Sequence, residues 1–430
     1  MKLNNKRTLI VGFAFMAICT FWQTYDNIIP LILKVDFKIG DTLAGGIMAI
    51  DNVLALFMLP LFGAWSDKVH TRKGKRTPFI FVGTISAVIF MIFIPIAATN
   101  KNLILFAVAL GMALISMGTF RSPAVSLMPD VTPKPLRSKA NAIINLMGTI
   151  GGVCALILIK LLVKKEEDPS YLILFIAVGA IMILGLLVVF FFVNENKLVA
   201  ERIETEKQYG IEDESEDDKQ SGGSEELAKP VKRSLTFLLF SVSFWFMAYN
   251  AVTTAFSKYA IIELKYEGGD FAGPLLIASA GALLAYIPVG IVSSKLGRKK
   301  VILFGVLLLA ACFLSGCFFK SQNFALNIVF MLVGVAWASI NVNSYPMVVE
   351  MCKGSDIGKF TGMYYTFSMA AQVFTPILSG ALLEYVGYRT LFPYATFFAL
   401  VAFFTMTQVK HGDSKPAALK SKLEAFDIDD

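Results

Sequence analysis

Long apolar runs recur down the whole chain and constrain it more than any other feature. Twelve can be marked: Thr8–Leu33, Asp41–Ala64, Pro78–Ala98, Asn102–Met128, Ser138–Val163, Ser170–Val193, Ser234–Ile262, Phe271–Ser294, Lys300–Phe319, Asn323–Val349, Ile357–Glu384 and Tyr388–Val409. Each has about 20 residues or more, the length an α-helix needs to cross a hydrocarbon core of roughly 30 Å. Backbone polar groups find no water in lipid, so runs of this kind close their own hydrogen bonds as helices. Composition points the same way. At 56% hydrophobic and 17% charged residues, the chain has too little polar surface for a soluble domain of this size. The N-terminal Lys2, Lys6 and Arg7 precede the first run without a small-residue cleavage site, so that run reads as a retained helix.

Two polar, basic hinges interrupt the apolar pattern at equivalent places. Gly63–Phe79 reads GAWSDKVHTRKGKRTPF, and Gly290–Lys300 reads GIVSSKLGRKK. The same loop in two halves of an apolar chain marks a parallel internal repeat. The fourth and tenth runs also match: Ser122, Pro123 and Asp130 precede Arg137 and Lys139, and Ser344, Pro346 and Glu350 precede Lys353 and Lys359. The expected fold is an all-α membrane protein of 12 transmembrane helices in two six-helix, pseudo-symmetric bundles.

Basic residues gather in alternate loops, which puts those loops and both termini in the cytoplasm of a multi-pass cell-membrane protein. Residues 1–193 form the expected N-terminal bundle and 234–409 the C-terminal one. Between them, 194–233 reads as a cytoplasmic acidic linker, whose first part, Asn194–Gly210, can form a short amphipathic surface helix. Residues 410–430 read as a cytoplasmic tail. The net charge of +7 is spent on orientation, not on nucleic acid. Five cysteines, Cys19, Cys154, Cys312, Cys317 and Cys352, show no metal spacing and read as small packing residues.

Asp67 sits near the C-terminal end of its helix, where the dipole disfavours an anion. Its compensation comes from Arg76 or Arg72 in its own loop, or from a helix N-terminus near Gly358. The bland alternative is a loop that only sets topology. Gly63, Asp67, Arg72, Gly74, Arg76, Asp130, Arg137, Gly297, Arg298 and Glu350 are the candidate cytoplasmic gate.

Three charges, Asp26, Asp51 and Arg121, lie well inside apolar runs and away from their ends, where they are costly and by default functional. Asp51 stands about 12 residues above the inner end of its helix, or ~18 Å, and Arg121 about 9 residues, or ~13 Å. Their similar depths make them a candidate buried pair. Asp26 lies nearer the outer mouth. An acid in a dry site that shares an Arg can load and release a proton. Both histidines, His70 and His411, lie in loops, so carboxylates must carry any proton. Asp26, Asp51 and Arg121 are the candidate proton-coupling residues; the bland reading is a structural salt bridge. Sugar recognition needs hydroxyl-matching polar groups and flat aromatic faces. Candidates are Trp22, Gln23, Tyr25, Asp26, Asn27, Asn141, Asn145, Trp245, Tyr249, Asn250, Thr253, Asn341, Asn343, Tyr345 and Gln372. Interhelical packing is the alternative for each. Lys160 and Lys258, near outer helix ends, are expected to snorkel.

These residues carry a resemblance to the major facilitator superfamily along the full length. Both hinges resemble its G-x-x-x-D-R-x-G-R-R loop, the first with five extra residues. That first hinge, with Ser122–Asn145, is similar to the sucrose:proton symporter branch and the related glycoside–pentoside–hexuronide:cation symporters. Melibiose-type sodium symporters carry two Asp where this chain has Ala55 and Leu59, so the resemblance implies that their sodium site is absent. Ser294 replaces the Asp expected in the second hinge. Gly148, Gly151 and Gly152 stand without the Gly-Pro signature of drug antiporters, which favours import.

The resemblance implies a secondary transporter working by alternating access, expected to be a proton-coupled sugar symporter. It would act as a monomer in the lipid bilayer, with no cofactor beyond a co-transported proton; sodium stays open. The rivals are a transporter of another solute, such as an organic anion or drug, and a membrane enzyme or sensor. No nucleophile–His or metal constellation speaks for an enzyme.

Overall fold

The computed structural model describes residues 3–133, 136–165, 170–209, 228–351 and 357–413. The acidic stretch after residue 209, Cys352, Lys353 and the tail beyond 413 lie outside the described residues, and the side chains at 357–359 are not described. Six long helices come first: α1 (Asn5–Val35), α2 (Asp41–Lys68), α3 (Thr77–Thr99), α4 (Leu103–Val131), α5 (Arg137–Leu162) and α6 (Leu172–Phe192). A short helix, α7 (Glu195–Gln208), follows. Then come α8 (Lys229–Ile262), α9 (Ala272–Leu296), α10 (Arg298–Gly316), α11 (Phe324–Val349), α12 (Ile357–Tyr385) and α13 (Leu391–Thr407), the last entered through a short 3-10 turn at Tyr388–Thr390. Among the described residues, twelve helices are long and apolar enough to cross a membrane. That is the predicted all-α fold of two six-helix halves.

Asparagines punctuate the helix starts. Asn4, Asn102, Asn194 and Asn323 each accept, through the side chain, a backbone N–H of the first turn they precede. Asn194 thereby starts α7 two residues after α6 ends. α8 begins at Lys229, five residues ahead of the predicted span, with Pro230 in its first turn, where a missing N–H costs nothing.

The chain divides into two compact units. The first comprises residues 1–40, 46–211 and 266–276; the second comprises 41–45, 212–265 and 277–430. In the first unit, α1 packs against α5 and α6. A Cβ on Gly151 would lie 2.3 Å from the Met16 carbonyl oxygen, so only glycine lets α5 approach α1 this closely. In the second unit, α8 packs against α12 and α13, and α10 against α11 and α13.

Candidate functional site

The first unit gathers the intramembrane charges. Asp26 on α1, Asp51 on α2 and Arg121 on α4 are close enough to act on one another electrostatically. Asp51 and Arg121 nevertheless do not form the contact pair that their depths suggested. The Asp51 carboxylate instead accepts the Asn52 backbone N–H at 2.6 Å and the Asn52 side-chain amide at 2.8 Å. The Arg121 guanidinium lies over the Trp22 ring, 5.5 Å from its centroid. A planar cation stacks well on an indole face, and the neighbouring Asn52 supplies two donors to one oxygen of the acid.

Three buried polar atoms of α1 lack a hydrogen-bond partner among the described residues: Trp22 Nε1, Tyr25 Oη and Asn27 Oδ1. Unpaired buried polar atoms are costly and rare. Asn27 spends its amide N–H on the Gln23 carbonyl at 2.9 Å, which leaves its oxygen free to accept. Gln23 is half-buried. On α5, Asn145 is buried, Asn141 is half-buried, and Thr149 donates to the Asn145 carbonyl at 3.0 Å.

In the second unit, the polar and aromatic candidates divide by burial. Tyr249 is half-buried and stacks on Trp337, centroids 3.7 Å apart and planes 8° from parallel. Phe246 meets the same indole edge-on at 5.3 Å. Trp337 was not among the sequence candidates. Its neighbours Val335, Ala336 and Ala338 are apolar, and only the partner on α8 singles it out. Trp245 shares a helical face with Tyr249 by spacing but lies fully buried in the unit's core. Asn250 holds an unpartnered buried Nδ2, and its carbonyl accepts Thr253 Oγ1 at 3.3 Å. Asn343 is buried and donates to the Ser339 carbonyl at 2.9 Å, while Asn341 and Gln372 stay half-buried. Tyr345 shares a hydrogen bond with Thr361 at 2.9 Å and packs edge-on against Tyr364, centroids 5.5 Å apart.

The first hinge closes on Arg76, which is only 5% exposed. Its guanidinium donates to Asp130 at 2.8 Å, to the Gly63 carbonyl at 3.1 Å, and to Asp67 and Ser66. Arg76 is therefore the cation that compensates Asp67. Lys75 adds a second, 3.3 Å from Asp67 and 3.2 Å from Asp130. No side-chain contact joins Arg72 to Asp67 among the described residues; its carbonyl accepts Asn196 at 3.2 Å. Arg137 caps the end of α4 through the Thr132 carbonyl at 3.3 Å.

Glu195, the first residue of α7, is the residue that sequence reasoning missed here. It is 1% exposed. Its two carboxylate oxygens accept the backbone N–H groups of Lys75, Arg76 and Thr77 and the Thr77 hydroxyl, at 2.8 to 3.1 Å. These are orphan donors of the α3 N-terminus, where an anion is electrostatically favoured. Gly74, at φ +119°, makes room: a Cβ there would lie 2.1 Å from the Glu195 carboxylate.

The second unit repeats the device with different residues. Arg298 pairs with Glu350. Gly297 turns the chain at φ +93°. Asp413 accepts the Lys299 backbone N–H at 2.9 Å, at the start of α10. In both halves, an acid just beyond the sixth membrane helix caps the third.

One buried charge lies elsewhere in the second unit. Lys258, expected to snorkel, instead lies buried and bonds Asp41 at 2.7 Å; Tyr388 donates to the other Asp41 oxygen, also at 2.7 Å. The Asp41 side chain is fully buried. An ammonium with a carboxylate in reach has no need to extend to water.

Twelve membrane-crossing helices in two repeated halves, each with a basic hinge and an acid-capped third helix, define a multi-pass membrane protein of the transporter class. The profile of the Major Facilitator Superfamily matches residues 11–287 and 274–426, and the chain belongs to that superfamily. A sucrose transport protein from Arabidopsis thaliana is 26% identical over 120 residues, which cover 24% of this chain and 20% of that relative. Among solved structures, a bacterial homologue of the human drug peptide transporters superposes with a TM-score of 0.69 at 11% identity, over 94% of this chain and 99% of the other. The nucleoside transporter NupG gives 0.67 at 16% identity, over 95% and 100%. The human organic anion transporter MFSD10 gives 0.59 at 13%, over 94% and 100%. At these identities the structures speak for the fold alone.

Proposed function

We propose that this chain is a proton-coupled symporter that imports a sugar, in the glycoside or disaccharide class, across the cell membrane by alternating access, with both termini in the cytoplasm. The observation that carries the reading is the cluster of Asp26, Asp51 and Arg121 in membrane helices, beside the unpartnered polar atoms of Trp22, Tyr25 and Asn27. Two carboxylates beside one arginine leave one acid without a cation of its own, the kind of intramembrane group that can take up and release a proton. Stacked Tyr249 and Trp337 supply flat faces for the C–H side of a sugar ring. The similarity of one segment to a sucrose transport protein supports the solute class. Arg76 and Arg298, each holding an acid from the next helix pair, would make and break contacts between the two access states.

The test is uptake of radiolabelled sucrose, maltose and a β-glucoside into proteoliposomes, under an imposed pH gradient and, separately, a sodium gradient. Accumulation driven by the pH gradient is expected, and Asp51→Asn is expected to abolish it. Accumulation of organic acids but of no neutral sugar would replace the solute class. Undiminished proton-driven uptake by Asp51→Asn would remove Asp51 from the coupling.

A further inference from the structure

At the end of the first unit that carries the N-terminus, α1, the end of α6 and the start of α7 line an open recess of about 350 Å³. Its lining presents three cations, Lys6, Arg7 and Lys197, against one acid, Glu201. Glu201 holds Arg7 at 2.7 Å and lies 4.0 Å from Lys197. Lys6 contacts no acid among the described residues. Two positive charges are therefore left uncompensated in one recess. The same lining carries Phe192, which is 73% exposed and ends the membrane helix α6, and Phe191 beside it is 71% exposed.

A recess that combines cations with an exposed aromatic at the end of a membrane-length helix matches a molecule with an anionic head and apolar tails. We propose that it binds an acidic phospholipid. The phosphate sits among Lys6, Arg7 and Lys197, and an acyl chain runs along Phe192. A soluble anion would use the cations but leave the aromatic edge bare. A zwitterionic lipid would bring an ammonium that repels Lys6 and Lys197. The site has a structural consequence, because α7 is also the helix whose first residue, Glu195, caps α3 at the hinge. A lipid that pins α7 to α1 would steady that cap. The inference rests on the membrane fold and not on the transported solute.

The experiment is a lipid titration of the purified full-length chain, read by native mass spectrometry, with phosphatidylglycerol and phosphatidylcholine as probes. Phosphatidylglycerol is expected to bind more tightly. Each interfacial cation contributes about 1 kcal/mol toward an anionic lipid, so the double variant Lys6→Ala, Lys197→Ala is expected to weaken it roughly thirtyfold. Both side chains are exposed, so the variant keeps its core; an unchanged thermal midpoint in detergent verifies this. Phe192→Ala is expected to weaken the lipid while leaving the cations in place. Equal affinity for the two lipids, or unchanged phosphatidylglycerol affinity in the double variant, would overturn the proposal. So would displacement of the lipid by soluble glycerol phosphate at comparable concentration, which would make the recess a site for free anions.

Discussion

Lys258 and Asp41 illustrate how a buried charge ties a fold together and constrains its mutants. The pair is 2.7 Å apart and almost fully removed from solvent. Removing one partner strands the other in a medium that solvates it poorly, a loss of about 3–5 kcal/mol. Lys258→Ala is therefore expected to lower the thermal midpoint of the purified protein sharply. The paired change Asp41→Asn, Lys258→Met is expected to recover most of that loss, because it leaves no unpaired charge; both follow from a thermal-shift assay in detergent. The tryptophans separate in the same assay. Trp245 fills core volume, so Trp245→Ala is expected to cost about 3–5 kcal/mol. Trp337 is half-buried, and its loss removes a stacked face with less core volume behind it. Spacing alone placed Trp245 with Tyr249 and passed over Trp337, because a helix that is apolar all round does not reveal which face is core.

At the scale of elements, the hinge of the first unit depends on a helix that is not a membrane helix. α7 offers Glu195 to three backbone N–H groups and one hydroxyl at the start of α3. Glu195→Ala leaves those buried donors without their acceptor, at about 1–3 kcal/mol. Gly74→Ala fails for a different reason: it forces a Cβ into a left-handed backbone and against the same carboxylate, at about 1–3 kcal/mol for the backbone alone. Both variants are expected to unfold earlier on heating, and Glu195→Gln is expected to fall between Glu195→Ala and the parent. The long helices were legible because the bilayer imposes length and apolarity, and Arg76 with Asp67 was legible because both charges stand in one short hinge; Asp130 was legible as a gate residue but not as the second acid on Arg76. Glu195 was not, since it opens an acidic stretch in which one carboxylate resembles the next. Its only local signal was Asn194, a helix-capping residue directly after an apolar run. Asp41 and Lys258 stand 217 positions apart, and no local pattern could join them.

Across the whole molecule, the two halves share a plan but not a chemistry. The first unit holds the intramembrane charges Asp26, Asp51 and Arg121. The second holds the aromatic faces Tyr249 and Trp337 and the tyrosine group of Tyr345, Tyr364 and Tyr365. A duplicated scaffold can diverge in this way because the apolar packing repeated in the two halves leaves their polar positions open to separate tasks. If charges serve the ion and aromatics the solute, substitutions in the two halves will fail differently. On the proposed reading, Asp51→Asn removes the proton-carrying carboxylate and keeps a side chain of similar size. It is expected to abolish accumulation against a gradient while preserving exchange of labelled for unlabelled solute, since exchange needs no net proton movement. Trp337→Ala leaves the charges in place and removes a stacking face worth about 1–2 kcal/mol. It is expected to raise the KM for sugar roughly tenfold while the pH gradient still drives accumulation. Counterflow and gradient-driven uptake measured on the same proteoliposomes distinguish the two failures. A Trp337 variant that lost ion coupling at unchanged KM would show that the halves do not divide the work in this way.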